Sequence, residues 1–330
     1  MPLCDYALAG SAVLPIQSFY GGADRVCEMN GVAMSCKSGV VVKELAKQAI
    51  RTPLQKTIRL LAAITKTKAD HVDHIHRLRT ETRRADAALR LFGDWLPGHR
   101  RKWIQKRLGE LREKAGRVRD LDVLIRWLPG LEGQLPEKAS NWLLDRAGSC
   151  RTVAMRSLRH CGRNLMDQDF KKRARALRHR THWQNAADAP TVGELYAQKV
   201  GELASEFLSK IDSLSRDATQ CHKVRILGRR LRYTLELLKD VLPETPTMTI
   251  CRQLSELQDE LGSVNDRTVA LQYFIAWRTE WDEKPFTESL CRLMDREQRS
   301  TVEQLASIVC RLRDKADDMR CRIRELMCLQ

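Results

Sequence analysis

Two rows of cationic side chains, each led by a histidine, are the residues of this sequence best suited to chemistry. The first row is His76, Arg79, Arg83 and Arg84. The second row has the same residue types at the same spacing: His222, Arg225, Arg229 and Arg230. Arginine is always charged and donates two parallel hydrogen bonds to one phosphate, and histidine gains charge near neutral pH or beside an anion. Such rows favour the binding of phosphate groups.

Helical spacing places each row on one side of a helix. At 100° per residue, Arg79 and Arg83 lie within about 60° of His76, and successive rungs are about 5.4 Å apart. Arg232 shares the corresponding face of the second helix. The opposite faces are apolar, with Leu78, Ala85, Leu89 and Phe92 in the first helix and Val224, Leu227, Leu231, Leu235 and Leu238 in the second. Since like charges one turn apart repel, we predict that an anion neutralises each row, and a flexible polymer of phosphates suits the spacing.

The two rows belong to an internal repeat. When the sequence is shifted by 146 residues, 17 of the 48 positions from 76 to 123 are identical to those from 222 to 269. Self-similarity over this length indicates duplicated structural units. The units run from about residue 40 to 185 and from about 191 to 330, with a linker at 185–190. We expect two helical bundles related by a pseudo-two-fold axis.

Composition predicts that the elements holding these rows are helices. Good helix formers dominate, aromatic residues make up only 5%, and Gly and Pro are sparse outside short stretches. We read Pro53, Pro97, Pro129, Pro136 and Pro285 as breaks between helices. Hydrophobic residues make up 43% of the chain, which is enough to build a core. The predicted fold class is therefore all-α.

The net charge of +16 is concentrated in one part of the chain. Residues 51–182 hold 32 basic and 14 acidic residues, whereas residues 183–330 hold 22 basic and 24 acidic ones. This distribution predicts a positive field over one part of the surface and an anionic partner. The second row of histidine and arginines nevertheless lies in the less basic half, so bulk basicity does not account for it.

Cysteine usage and hydropathy bear on the compartment. The eleven cysteines include no CxxC pair, which argues against a disulfide framework or a zinc site and favours a reducing compartment. No apolar run is long enough to predict a membrane span. We therefore expect a cytoplasmic protein. Residues 1–38 are rich in Gly, poor in charge and aperiodic, and we read them as a disordered or loosely packed extension.

Two other arrangements suggest different chemistry. His71, Asp73 and His74 could ligate a divalent ion and support a metal-dependent phosphohydrolase, although a polar helix start explains them more simply. The carboxylates Asp120, Asp122 and Asp266 resemble paired catalytic acids. Their position after Gly116 and Gly262 instead favours caps at a helix junction or partners of a nearby arginine.

A third alternative is a nucleic-acid-binding helical protein. The run from Lys171 to Arg180 is strongly basic and could contact nucleic acid or extend an anion-binding surface. A solvated face of a terminal helix explains the run equally well. The tryptophans mostly fall on apolar helix faces, so we interpret them as core residues and not as platforms for stacking bases.

Four segments together resemble the CHAD family, the conserved histidine α-helical domain. His76-Arg-Leu-Arg79-Thr-Glu-Thr-Arg83-Arg84 is similar to the signature helix of that family, and Arg117-Val-Arg-Asp-Leu-Asp122-Val-Leu is similar to the segment that follows it. The second half supplies His222-Lys-Val-Arg225-Ile-Leu-Gly-Arg229-Arg230-Leu-Arg232-Tyr233 and Leu257-Gln-Asp-Glu-Leu-Gly262-Ser-Val-Asn-Asp266. The sequence departs from the family at Ala85 and Asp86, where an apolar and a basic residue are usual.

The resemblance implies two four-helix bundles with internal two-fold pseudosymmetry, here residues 39–185 and 186–330. It also implies non-catalytic binding of inorganic polyphosphate, with no cofactor and no metal, and an association with polyphosphate or storage granules. Similar polyanions are further possible partners. Transferred by position, the binding residues are His76, Arg79, Arg83, Arg84, His222, Arg225, Arg229, Arg230 and Arg232.

Overall fold

Helices make up almost all of the computed structural model, which describes residues 40–67, 72–131, 133–179, 191–215, 217–240, 242, 244–280 and 284–328. No strand occurs among these residues, and the predicted all-α class is confirmed. None of the described helices is both long and apolar enough to cross a membrane. The predicted extension 1–38 and the whole of the predicted linker 185–190 lie outside the described residues.

The first half of the chain folds into long antiparallel helices. They are α1 (Val40–Lys66), α2 (Val72–Leu91), α3 (Gly98–Trp127), α4 (Glu137–Asp167) and α5 (Phe170–His179), with 3-10 turns at Gly93–Trp95 and Leu128–Leu131. Proline precedes α3 and α4, where its fixed φ suits a helix start. Asp169, with a φ of 58°, reverses the chain between α4 and α5.

The second half is also built from helices. They are α6 (Val192–Leu195), a π-helical segment (Tyr196–Val200), α7 (Gly201–Asp212), α8 (Ala218–Leu238), α9 (Glu244–Trp277) and α10 (Lys284–Cys328). Thr191 and Glu194 form a reciprocal capping box at the start of α6, with bonds of 2.7 and 3.1 Å. The Asp217 carboxylate caps α8 by accepting from the Thr219 amide at 3.0 Å.

The predicted apolar faces build the core. Leu78, Ala85 and Leu89 of α2 are fully buried, and Val224 and Leu231 of α8 are at most 1% exposed. A second apolar cluster joins the far ends of α3 and α4 to those of α9 and α10, where Trp127 stacks on Phe274 with ring centroids 5.9 Å apart. The main core, which contains the apolar residues of α2 and α8, fixes the faces of these helices that remain for polar side chains.

The halves meet through the helices that the repeat aligns. Helix α2 contacts α8, and α3 contacts α9. Within each half, successive helices pack as neighbours, and the last long helix contacts the first. This arrangement places the two signature helices side by side. The pseudo-two-fold relation and the boundaries 39–185 and 186–330 stay predictions.

Two of the predicted helix breaks are wrong. Helix α1 continues through Pro53, and α10 includes Pro285 in its first turn. A proline in the first helical turn loses no hydrogen bond, which explains Pro285. Pro53 lies in the interior of α1 and is buried. The packing of its ring in the core offsets the lost backbone hydrogen bond, since tertiary contacts routinely override local propensity.

Candidate anion-binding site

The predicted rows lie on the sides of α2 and α8 that face away from the apolar core. His76 and His222 are exposed near the start of each helix, whereas Arg79, Arg83, Arg225 and Arg229 are half-buried further along. Because α2 packs against α8, the arginines of the two rows come together. We call Arg79, Arg83, Arg225 and Arg229 the arginine cluster.

Burial and mutual repulsion lower the pKa values of all four guanidinium groups in the arginine cluster. Burial and then the charge of Arg79 lower the pKa of Arg83 to about 10, while Tyr233 opposes them through its charge and a hydrogen bond. Burial, Arg83 and Arg225 lower the pKa of Arg229 to about 9. The pKa values of Arg79 and Arg225 are lowered too, first by burial. All four remain charged at neutral pH and their potentials add.

Few protein anions compensate this charge. In the described part of the chain, no carboxylate lies within salt-bridge distance of Arg83, Arg225 or Arg229. Arg79 Nη1 lies 3.8 Å from Asp120 Oδ1, too far for a hydrogen bond. The same Nη1 and Arg225 Nε are buried and without a hydrogen-bond partner. Buried cationic donors that lack acceptors are costly, and an anion that accepted from them would lower this cost.

Two glycines give the guanidinium groups room against the neighbouring helices. A Cβ added at Gly116 of α3 would lie 2.8 Å from Arg79 Nη1, and one added at Gly262 of α9 would lie 3.5 Å from Arg225 Nη2. Gly116 and Gly262 occupy the same position of the repeat. The repeated glycine therefore permits an arginine to lie directly on a helix backbone.

The two histidines have lowered pKa values for partly different reasons. Burial and the charges of Arg119 and Arg79 lower the pKa of His76. Burial, Arg225 and Arg229 lower the pKa of His222, while a side-chain hydrogen bond to Asn265 opposes them. Arg119 and Asn265 are equivalent positions of the repeat, and each acts on the histidine of its own half. Both imidazoles are mainly neutral at pH 7 until an anion favours their charged form.

Three further predicted site residues have different surroundings. Arg84 pairs with Glu81 at 3.1 Å and with Glu236 of the other half at 3.3 Å. Arg232 pairs with Glu236 at 2.5 Å, and its guanidinium lies 4.7 Å from the centre of the Tyr233 ring. Both guanidinium groups are thus matched by protein carboxylates. Arg230 lines an open cavity beside the cluster.

This open cavity extends from the arginine cluster towards α7. It has a volume of about 650 Å³ and lies between α2, α3, α7 and α8. Arg83, Arg229 and Arg230 form part of its wall, together with Arg112, which sequence reasoning did not select. The Arg112 guanidinium donates to the Thr82 carbonyl oxygen at 3.2 Å and lies 3.8 Å from Asp86. The departure from the family pattern at position 86 therefore places a carboxylate at the rim of the site.

The acidic residues that resembled catalytic pairs lie inside long helices and not at a junction. Asp120 lies inside α3 and Asp266 inside α9, and neither is at a helix start, so the predicted cap is wrong. The predicted arginine partners are present, because Asp120 is paired with Arg79 and Asp122 binds Arg151 of α4. Burial and the neighbouring Asp266 raise the pKa of Asp120, while Arg79 opposes them.

Arg119 and Tyr233 are the functional side chains that sequence reasoning missed. Arg119 acts on both His76 and Arg79, and Tyr233, 4% exposed, touches Arg83, Arg84 and Arg232. Both belong to family-like segments, but Arg119 lies on α3, outside the helices that carry the rows, and Tyr233 shares the face of its row without being a cation. Among the described residues no group of three His, Cys, Asp or Glu side chains is placed to hold a metal, and His71 lies outside them.

These observations define an all-helical protein in which two signature helices lie side by side and hold between them an arginine cluster that protein carboxylates compensate only in part. The sequence model of the CHAD domain matches residues 52–274, and the chain belongs to the CHAD domain family. The chain is similar in fold to the CHAD domain of the plant Ricinus communis, with a TM-score of 0.59, 19% identity, and coverage of 89% of this chain and 95% of that one.

A second similar structure is PptA from Streptomyces chartreusis. Its TM-score is 0.59 at 18% identity, and the match covers 83% of this chain and 99% of that one. At these identities the two structures support the fold alone. Comparison of the sequence with curated proteins gives no significant match.

Proposed function

We propose that this protein binds inorganic polyphosphate without transforming it, through the arginine cluster and the two histidines. The observation that carries the proposal is the set of half-buried guanidinium groups with few carboxylates around them. A linear chain of phosphates offers one anionic group per unit, which suits donors repeated along two adjacent helices. The association of the CHAD family with polyphosphate binding supports the same reading.

The aromatic residues favour polyphosphate over a nucleic acid. Binders of single-stranded nucleic acid stack bases on accessible aromatic rings. The aromatic ring beside the cluster, Tyr233, is buried and lies against the guanidinium groups of Arg84 and Arg232. The cluster therefore offers donors for phosphate oxygens and no surface for a base.

Within the proposal the residues have distinct roles. Arg79, Arg83, Arg225 and Arg229 donate to successive phosphates, and His76 and His222 donate at the two ends of the cluster. Arg230 contacts the ligand from the cavity wall. Arg84 and Arg232, which are held by carboxylates, contribute potential and hold Tyr233 and Glu236 in place. Polyphosphate granules in the cytoplasm are the proposed location, and co-localisation with granules should be lost with binding.

The deciding experiment compares Arg83→Gln/Arg229→Gln with a control of equal charge change, Lys210→Gln/Lys239→Gln. The control lysines are exposed and line none of the cavities described. Titration with long-chain polyphosphate should show a loss of about 100-fold or more for the arginine variant only. Full binding by the folded arginine variant contradicts the proposal.

Competition separates the alternatives. At matched salt, polyphosphate should displace labelled RNA or DNA, whereas a nucleic-acid-binding protein would show the opposite order. Incubation of polyphosphate with the protein and added Mg²⁺ or Mn²⁺ should release no phosphate. Release that is lost in His74→Ala would instead support a metal-dependent phosphohydrolase.

A further inference from the structure

A second basic concavity lies on the first half of the molecule, away from the arginine cluster. It is a groove of about 230 Å³ between α1 and α5. Its polar lining consists of Arg51, Gln55, Arg59, Lys171 and Arg175, and its floor is aliphatic. The groove wall therefore carries four cations and no carboxylate. We call it the α1–α5 groove.

The cations of the groove lack compensating partners. Within the described residues, none of Arg51, Arg59, Lys171 and Arg175 forms a salt bridge. Arg51, Lys171 and Arg175 are exposed, and so is Arg59. Exposure alone would make this an ordinary solvated surface. Four like charges around one small concavity, however, focus a positive potential that single exposed side chains do not produce.

A continuous basic path joins this groove to the arginine cluster. Arg59 lines the groove and also lines a cavity of about 530 Å³ between α1 and α2. His76, at the end of the cluster, lines the same cavity, together with Lys56 and Arg77. The one carboxylate in that lining is Glu81, which is 7% exposed and pairs with Arg84. A phosphate chain leaving the cluster past His76 would meet cations along the whole path.

The opposite exit from the cluster has a different character. There the 650 Å³ cavity is lined by six cations but also by four carboxylates, Glu202 and Glu206 of α7 and Asp86 and Glu113 on the first half. These carboxylates offset much of the positive charge on that side. On the other side of the cluster, α1 presents Lys56 and Arg59 to the 530 Å³ cavity. The two exits of the cluster are thus electrostatically unequal.

We propose that the α1–α5 groove is a second binding site for the same polyphosphate chain, reached from the cluster past His76 and Arg59. The inference rests on the proposed function and adds a direction and a dependence on chain length. A short chain fills the cluster alone, whereas a long chain also occupies the groove. Two sites on one flexible ligand act together through effective concentration, so long chains bind more tightly.

The test uses Arg51→Gln/Arg175→Gln, with Lys210→Gln/Lys239→Gln as the control of equal charge change. The probes are tripolyphosphate and long-chain polyphosphate. The groove variant should bind tripolyphosphate like the wild type and bind long-chain polyphosphate about tenfold more weakly, and its slope of log K against log salt should decrease by about 1 to 2. The control should match the wild type with both probes.

The results can distinguish failure of the groove proposal from failure of the proposed function of the cluster. Unchanged affinity and salt slope of the groove variant for long chains overturn the groove proposal, even if Arg83→Gln/Arg229→Gln has lost all binding. If the cluster variant binds normally and the groove variant does not, the proposed function of the cluster is wrong and the two-site path is wrong with it. In a parallel titration with single-stranded RNA, a groove variant that loses affinity for the RNA only would identify a nucleic-acid site and overturn the proposal. Thermal melting checks that each variant is folded.

Discussion

The Arg79 guanidinium lies directly on the backbone of α3 at Gly116, so that a Cβ at that position would be 2.8 Å from Nη1. The equivalent pair in the second half is looser, because a Cβ at Gly262 would be 3.5 Å from Arg225 Nη2. The first distance requires the guanidinium to move, and the second is ordinary van der Waals contact. The same glycine-to-alanine substitution can therefore be compared at Gly116, where it displaces an arginine, and at Gly262, where it does not.

We expect Gly116→Ala to weaken polyphosphate binding several-fold and Gly262→Ala to leave it nearly unchanged. Both substitutions replace a glycine inside a helix, and each should gain up to about 1 kcal/mol of stability from helix propensity. The difference in binding therefore reports the displaced guanidinium and not the helix. Titration calorimetry with long-chain polyphosphate measures it. Equal affinities for the two variants would show that the position of Arg79 does not matter.

The repulsion within the arginine cluster predicts a conflict between stability and binding. The pKa of Arg229 is about 9 in the folded protein, well below the ordinary value of an arginine. A base with a lowered folded-state pKa destabilises the native state below that pKa, and stability rises as the pH increases above about 9. At pH 7 the full penalty is present. Removal of this charge should therefore stabilise the protein.

We expect Arg229→Gln to raise the free energy of unfolding by about 1 to 3 kcal/mol, after discounting for partial exposure, while it weakens polyphosphate binding. Urea unfolding at pH 7 measures the first effect. Arg252→Gln, at an exposed site on α9, is the control and should change neither quantity. A destabilised Arg229→Gln protein would mean that Arg229 has a stabilising partner in the native state.

The lowered pKa values of His76 and His222 predict that binding depends on pH. In the free protein both imidazoles lose their protons more readily than in the unfolded chain, so free-protein stability falls as the pH decreases through about 6.5. A bound polyanion favours the charged form and raises both pKa values. Binding then takes up protons, and affinity should increase as the pH falls from about 8 to about 6.

Titrations with polyphosphate across this pH range, at constant ionic strength, test whether affinity increases as the pH falls. His76→Gln/His222→Gln should bind with an affinity that varies little with pH, since its arginines stay charged throughout. This variant also separates the histidines from Asp120, whose pKa is raised by burial. An unchanged pH dependence in the double variant would assign the effect to another group.

Helical periodicity predicted the parts of the fold and site that depend on a single helix. It placed Leu78 and Val224 in the core and His76 and His222 on the opposite, exposed face. Contacts between helices could not be predicted in this way. Arg84 follows Arg83 in the sequence, yet its partner Glu236 is 152 residues away in the other half. Contacts between helices therefore decide which arginines pair with a carboxylate and which do not.

The same limit explains why two functional residues were missed. Arg119 lies on α3, outside the signature helices, and it reaches His76 only because α2 and α3 pack together. Tyr233 has Ala87 at its equivalent position in the repeat, so identity between the copies gives no signal there. A comparison of the copies reveals what they share, whereas a side chain that serves both halves needs to be present in one of them only.

Tyr233 is expected to position Arg83 for ligand binding. Its side chain forms a hydrogen bond with Arg83, which opposes the lowering of the arginine pKa by burial. Tyr233→Phe keeps the ring that lies against Arg84 and Arg232 and removes only the hydroxyl. Arg83 would keep its charge and lose its orientation. Affinity for polyphosphate should fall about threefold to tenfold, the equivalent of about 0.7 to 1.4 kcal/mol.

The salt dependence distinguishes this positioning role from a direct contact. Tyr233→Phe leaves every cation in place, so its slope of log K against log salt should equal that of the wild type, whereas Arg83→Gln should reduce the slope by about 1. Tyr273→Phe, in the separate apolar cluster beside Trp277, is the control for loss of a tyrosine hydroxyl. If Tyr233→Phe reduces the slope as Arg83→Gln does, Arg83 no longer reaches the ligand without the hydroxyl. If it binds with wild-type affinity, the Arg83 guanidinium is held in place by its packing between α2 and α8 alone.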